Sequence, residues 1–398
     1  MKKICLVVIG IFVFCFGTFA QQVSDTTAAF KNKKLKVEEV NLVTSFYQQN
    51  GDNAAVTGGI GSQKLTDFSN VIDVKLTRYS KLNNKQNLTI GTGVDYYSSA
   101  SSDQVDLQAN SSASYTDLRV YPTINWEVEN EKKGNTYSVN ASTSFEFDYQ
   151  SFGFSINGSK KSKDKNRQLD VNLSTYQDQI KLILPIELRP FTPNVRTSYS
   201  YAGRKTYSSS MVVSQVVNQK LQLAFMLDLV YQTGFLSLPF HRVYLNNNFV
   251  KAELLPTTRF KLPVGIRANY FAGDKLVLRS YYRYYIDDWG LKSHTVNLET
   301  AIKITPFFSI SPFYRFYNQT AIKYFAAYKQ HTPQEAFYTS NFDFSNFTSH
   351  FLGAGIRTVP LKGVLGNKHF NALELRYGHY IKSYGMNANI ISTNLKFK

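Results

Sequence analysis

Cysteine is nearly missing from this chain. Its two occurrences in 398 residues, Cys5 and Cys15, both fall within the first twenty. Beyond them there can be no disulfide framework, no thiolate nucleophile and no cysteine-based metal site. Also missing after residue 20 is any apolar run approaching the roughly 18–20 residues that a membrane-spanning helix requires. Acidic residues are in deficit, with 28 Asp and Glu against 45 Lys and Arg and a formal charge of +17. No proline- or glycine-rich linker and no break in composition divides the chain, which argues for one continuous architecture. Histidine is sparse, and His241, His294, His331, His350, His369 and His379 show neither His-x-x-x-His nor Glu-linked metal spacing. The glycines of TGGIGSQ (57–63) lack the strand-to-helix context of a phosphate-binding loop. No metal and no cofactor is expected.

What is present begins with a leader. Residues 1–20, MKKICLVVIGIFVFCFGTFA, combine two lysines, an apolar run and a small residue before Gln21. That is the pattern of a secretory signal peptide cleaved near Ala20. Residues 21–36, with Lys31, Lys33, Lys34 and Lys36, are expected to be a basic periplasmic segment, and 37–398 a single barrel domain. Loss of Lys2 and Lys3 lowers the charge from +17 to +15.

The remainder alternates. In TYSVNASTSFEFDYQ (136–150), Tyr137, Val139, Ala141, Thr143, Phe145, Phe147 and Tyr149 share one face, and Ser138, Asn140, Ser142, Ser144, Glu146 and Asp148 the other. A period of two means a strand with one apolar and one wet face. The same pattern recurs at 221–232, 259–270, 275–286 and 294–304. Short polar turns near 82–86, 130–135, 160–167, 218–220, 272–274, 305–307 and 360–368 separate these strands at one end. Longer or more irregular links occur at 50–67, 98–116, 185–203, 233–257 and 318–347, with brief ones near 149–151, 287–292 and 383–387. Turns and longer links alternate, as in an outer-membrane barrel. The count is sixteen strands from near Val37 to near Phe397, with fourteen or eighteen as neighbouring counts. Residues 37–49 lack clean parity, and the apolar parity flips between Leu173 and Ile180, which predicts a bulge or the start of a loop there.

Length separates a membrane barrel from a soluble sandwich. A membrane strand needs roughly 9–11 residues, whereas soluble strands average roughly 5–6. The longer alternating segments here meet the membrane requirement, and aromatics such as Tyr96, Tyr97, Tyr149, Tyr284 and Tyr285 gather at strand ends as interfacial girdles do. The expectation is an all-β, antiparallel up-and-down barrel in the outer membrane of a Gram-negative bacterium, in contact with lipid. The final strand alternates Ile391, Thr393, Leu395 and Phe397, which makes Phe397 the candidate signal for the barrel-assembly machinery.

Several stretches carry a family likeness: GVDYYSSASSD (93–103), EFDYQSFG (146–153), SLPFHRVYL (237–245), LPTTRFKLPVGIRANYF (255–271), YYRYYIDDWGL (281–291), ITPFFSISPFYRFYNQTA (304–321) and ALELRYGHY (372–380). Together they resemble the Bacteroidota-type outer-membrane proteins of domain of unknown function 3570. The resemblance implies an envelope barrel without an assigned activity, and a periplasmic partner in a flavin- or thioredoxin-linked redox system. It carries no functional residue over to this chain.

Parity assigns Lys75, Arg119, Lys261, Arg267, Arg279, Arg283, Lys303, Arg315, Arg357, Arg376, Lys382 and Lys396 to the inner face. Against them stand Asp73, Asp95, Glu127, Glu146, Asp148, Asp170, Asp228, Glu299 and Glu374. The candidate lumen-lining set is Arg267, Arg279, Arg283, Arg315 and Arg376 with Glu146, Asp148, Glu299 and Glu374. Such a set makes either a weakly anion-preferring pore or cross-strand ion pairs that brace the wall. KKSKDKNR (160–167) and the lysines before strand 1 form a basic rim open to a periplasmic partner or to lipid phosphates. Nucleic acid is not expected, because the charge lies on turns. Asp287, Asp288 and His294 are a remote hydrolase candidate, but DDWG reads as a turn, and the chain is not expected to be an enzyme. A plugged barrel serving as an envelope scaffold is the alternative to a channel.

Overall fold

The computed structural model describes residues 34–98, 116–189 and 199–398. The leader, most of the segment that follows it and the serine-rich stretch after Ser98 lie outside the described residues. The strands are Lys36–Asn50 (β1), Leu65–Tyr79 (β2), Lys85–Ser98 (β3), Thr116–Asn130 (β4), Asn135–Phe145 (β5), Tyr149–Lys161 (β6), Arg167–Lys181 (β7), Tyr201–Asn218 (β8) and Leu221–Gly234 (β9). They continue as Arg242–Tyr244 (β10), Val250–Ala252 (β11), Thr258–Ala272 (β12), Leu276–Asp287 (β13), Lys292–Thr305 (β14), Phe308–Gln319 (β15), Phe347–Thr358 (β16), Phe370–Lys382 (β17) and Asn387–Phe397 (β18). Among the described residues, sixteen of these close into one antiparallel barrel in chain order, and β10 with β11 forms a separate ribbon. The seam is β1 against β18, from Val40 opposite Phe397 to Asn50 opposite Asn387. The expected sixteen-stranded barrel is the observed one.

Even the shortest barrel strands, β5 and β18, have 11 residues, enough to cross a bilayer. Their outer face is apolar and open: Phe46, Phe68, Ile90, Ile124, Phe154, Ile156, Val264 and Leu352 are all exposed, Phe225 by 54% and Leu298 by 48%. A continuous apolar belt of this kind is not tolerated in water; in a bilayer it is the solvated surface. No helix among the described residues is long and apolar enough to cross a membrane, and the strands make the crossing.

Three sequence readings change in detail. The alternation at 136–150 is not one strand: β5 ends at Phe145, residues 146–148 turn, and β6 begins at Tyr149. The turn residues keep the parity of β5, so alternation does not reveal them, but β6 resumes on the opposite parity. Phe152, Phe154 and Ile156 face out, and Tyr149, expected in the outer girdle, faces inward, where Arg204 donates to its hydroxyl at 3.2 Å. The lost parity of strand 1 has a cause in a register shift between Val37 and Glu39, which leaves Glu38 as the extra residue. Its carboxylate takes Lys75 at 2.9 Å and Lys85 at 3.2 Å. The flip before Ile180 is neither a bulge nor the start of a loop, since β7 continues to Lys181. β7 pairs without a shift on both sides, and Ile180 is an apolar residue on its inward face, buried near the strand's end, as is Ile183 just beyond it.

The dry core of the molecule lies in those links. Leu255, Trp289, Leu291 and Ile322 are buried together, with Tyr324 and Phe344 against them, and Val243, Leu245 and Tyr338 form a second cluster. The link 51–64 joins β1 to β2 and the link 235–257 joins β9 to β12, so their roots stand eight strands apart on a ring of sixteen. They nevertheless meet. Arg242, only 6% exposed, donates to the Val56 carbonyl at 2.9 Å and pairs with Glu187 from the link after β7. Gly58 and Gly59, at φ of +81° and +86°, seat 51–64 against its neighbours. A Cβ at Gly58 would stand 2.5 Å from the Tyr244 ring, and one at Gly59 2.6 Å from the Ser340 carbonyl. Loops rooted on opposite walls can touch only across the barrel axis, so the long-link end is strapped by its own chain.

Candidate functional site

The inner wall from β12 to β17 gathers the arginines. Registers place Arg267, Tyr281, Asn297, Arg315, Phe351 and Tyr380 side by side across six neighbouring strands. The next row, two residues along, is Asn269, Arg279, Glu299, Phe313, Gly353 and Gly378. The alternating residues between them, including Leu278, Tyr282, Leu298, Tyr314, Leu352 and Tyr377, form the exposed outer face. A period of two therefore brings residues remote in sequence onto one wall.

Ion pairs consume part of this charge. Glu299 takes Arg279 at 2.5 Å and Arg376 at 2.8 Å, and Arg376 also reaches Glu374 at 3.2 Å. Arg283 stands 3.7 Å from Asp228. Arg267 and Arg315 have no carboxylate within ion-pair distance among the described residues. Their guanidinium carbons lie over aromatic rings, Arg267 5.8 Å from Tyr281 and Arg315 5.6 Å from Phe351. Two recesses of ≈ 290 Å³ open beside them. One is bounded by Asn297, Glu299, Phe313, Arg315, Phe351 and Arg376, and the other by Arg267, Asn269, Arg279, Tyr281, Asn297 and Glu299. Asn297 and Glu299 are the shared partition.

The other candidates sit elsewhere. Glu146 and Asp148 occupy the turn between β5 and β6 at the long-link rim, away from the arginine wall. Glu146 accepts from Tyr97 Oη at 2.6 Å and stands 3.4 Å from Arg119. Burial raises its carboxyl above the usual range, while Tyr97 and Arg119 pull it down. The carboxylates of Asp117, Glu146 and Asp148 come within 4.8 Å of one another. Asp117 already accepts from the Leu118 and Phe147 amides. Asp287 is buried on the inner side, bound to Arg259 and Tyr285 Oη. His294 faces outward and bonds Tyr282 Oη through Nδ1 at 2.8 Å. Asp288 accepts from the Phe260 amide. The wall separates His294 from Asp287, so no acid and histidine constellation forms there. Phe397 lies at the seam, stacked on Phe370 at 4.8 Å.

Sequence reasoning missed the strap. Its keystone Arg242 lies in SLPFHRVYL, a stretch with no charge pattern of its own. The signal that could have found the docking loop was TGGIG, whose glycines serve close approach to other loops.

Fold and surface together define an outer-membrane-type β-barrel with a charged inner wall. The chain belongs to the family described as "Protein of unknown function (DUF3570)", whose profile matches residues 20–383. A search of curated proteins finds no match. Similar solved structures include a bacterial polysaccharide outer membrane secretin, at TM-score 0.45 and 9% identity over 90% of this chain and 98% of that one. OccK9 (OpdG) of Pseudomonas aeruginosa matches at 0.43 and 9% over 91% and 98%. A BenF-like porin from Pseudomonas fluorescens Pf-5 matches at 0.42 and 10% over 90% and 99%. Superpositions this loose carry no functional argument.

Proposed function

We propose that the protein is an outer-membrane pore that favours small anions, with its outer mouth strapped by its own long links. The observation that carries this reading is the pair of guanidiniums, Arg267 and Arg315, that face the lumen without a carboxylate partner. Paired arginines brace a wall; unpaired ones leave a positive field for a passing anion. A ring of sixteen strands is wide enough for an aqueous lumen. In this reading the leader is removed near Ala20, the assembly machinery inserts the barrel, and the short-turn end with both termini faces the periplasm. Purified barrel in a planar bilayer under a potassium chloride gradient should give single-channel steps and a reversal potential of the sign set by chloride. Replacing both Arg267 and Arg315 by Gln should move that potential toward zero. A folded barrel that gives no steps overturns the reading.

The strap favours a second reading. A barrel closed at its mouth would serve as an envelope scaffold, presenting Lys160, Lys163, Lys165 and Arg167 to a periplasmic partner, flavin- or thioredoxin-linked. Specific co-purification of such a partner from native membranes, lost when these four are neutralised, supports the scaffold; its absence removes it.

A further inference from the structure

We infer that the recess around Arg315 is a binding station for small organic monocarboxylates with a flat apolar body. The carboxylate would meet the Arg315 guanidinium and the Asn297 amide, and the body would lie on the Phe313 and Phe351 rings.

The apolar floor is built. Phe313 and Phe351 have centroids 5.1 Å apart, and both rings lie against glycine backbone. A Cβ at Gly353 would stand 2.6 Å from the tip of Phe313, and one at Gly378 2.4 Å from Phe351. Any side chain at either glycine would lift a ring off the wall. Both rings are thus held flush beside the recess of ≈ 290 Å³. The arginines share this floor, Arg376 4.8 Å over Phe313 and Arg315 5.6 Å over Phe351, and a ligand with one charged end and an apolar face gains from the ring surface beside them where chloride does not.

Charge fixes the valence. Around this recess stand the guanidiniums of Arg279, Arg315 and Arg376 and the carboxylates of Glu299 and Glu374, three positive groups against two negative ones. Glu299 and Glu374 are taken up by Arg279 and Arg376, so the excess charge of +1 resides on Arg315. One negative charge is matched there, whereas a second would face Glu299. A guanidinium also binds a carboxylate through two parallel hydrogen bonds.

Arg267 provides a second, less apolar station. It lies in the same row as Arg315, three strands away, about 14 Å along the wall at the usual strand spacing. Barrel strands tilt by about 40°, so a row at right angles to them climbs the lumen and offsets the two guanidiniums by about 9 Å along the axis. Successive single-charge stations let a solute bind and leave stepwise.

Transit through these stations rests on the pore reading, but occupancy does not, and the test separates them. Detergent-solubilised barrel is titrated calorimetrically with benzoate, acetate and benzyl alcohol, which carry charge and ring, charge alone and ring alone. Benzoate should bind saturably and tighter than either of the others. Arg315→Gln should weaken benzoate about tenfold or more, and Phe351→Leu should reduce benzoate toward acetate. Heat-modifiable migration on gels verifies that each variant is a folded barrel. Equal binding of benzoate and acetate, or an unchanged Arg315→Gln, overturns the station. Benzoate binding to a barrel without conductance keeps the station and rejects only the pore.

Discussion

At the scale of single residues, Glu299 decides how much positive charge the lumen shows. It holds Arg279 and Arg376 at once, so Glu299→Gln frees Arg279, leaves Arg376 to Glu374 alone and removes one negative charge. Its effect on selectivity must therefore be opposite in sign to that of Arg315→Gln. In the same bilayer recordings Glu299→Gln should move the reversal potential further toward the chloride limit, and Arg315→Gln should move it back. The stability cost of Glu299→Gln should be modest, about 1–2 kcal/mol, because both arginines keep access to lumen water; thermal unfolding measures it. Sequence parity was enough to place these arginines and Glu299 on one face. It could not tell which are neutralised, since Arg376 reaches Glu299 across strands β16 and β15. That choice depends on register between segments some 77 residues apart, and a period of two fixes the face of a residue, not its neighbours.

At the scale of elements, the strap is held by one cation serving three links. Arg242 joins the link 235–257 to Glu187 and to the Val56 carbonyl. Arg242→Ala strands a half-exposed carboxylate and a buried carbonyl, a loss of about 1–3 kcal/mol. With the strap loosened, protease should cut within 51–64 or 235–257 at concentrations that leave the wild type intact, and single-channel conductance should rise. Unchanged protease resistance would show that the apolar clusters alone hold the loops. A pH dependence follows from the same contact. The hydrogen bond from Arg242 holds the Glu187 carboxyl below its usual 4.5. A depressed folded-state value means that the stabilisation is complete above 4.5 and fades as pH falls through the lowered value. Protection factors of the amides in 51–64, which correct for the intrinsic slowing of exchange in acid, should therefore be high at neutral pH and fall once pH drops below 4.5, and Arg242→Ala should flatten that dependence. The strap was illegible in the sequence for a physical reason. Barrel strands announce themselves by a repeated period, whereas loops that bury Val243, Tyr338 and Trp289 do so through contacts between links remote in the chain.

At the scale of the whole molecule, closure is one event: β18 must find β1. The barrel itself was largely legible, because lipid outside and water inside impose one period on every strand and connectivity imposes alternating links. Phe397 stands at the last pair of the seam, opposite Val40 and stacked on Phe370. We propose that it is read by the assembly machinery and is more than a packing residue, and two variants tell these roles apart. Phe397→Ala and Phe370→Ala remove the same ring stack from the finished barrel and should cost similar, small amounts of thermal stability, about 1 kcal/mol. Only Phe397→Ala alters the terminal pattern that would be recognised before the barrel exists. Expression in an envelope-competent host should then yield markedly less heat-modifiable barrel for Phe397→Ala than for Phe370→Ala, and Phe397→Tyr should restore the yield. Equal yields for the two alanine variants would reduce Phe397 to half of a stacked pair. A difference in yield without a difference in melting temperature places its role in assembly, before the fold it helps to close.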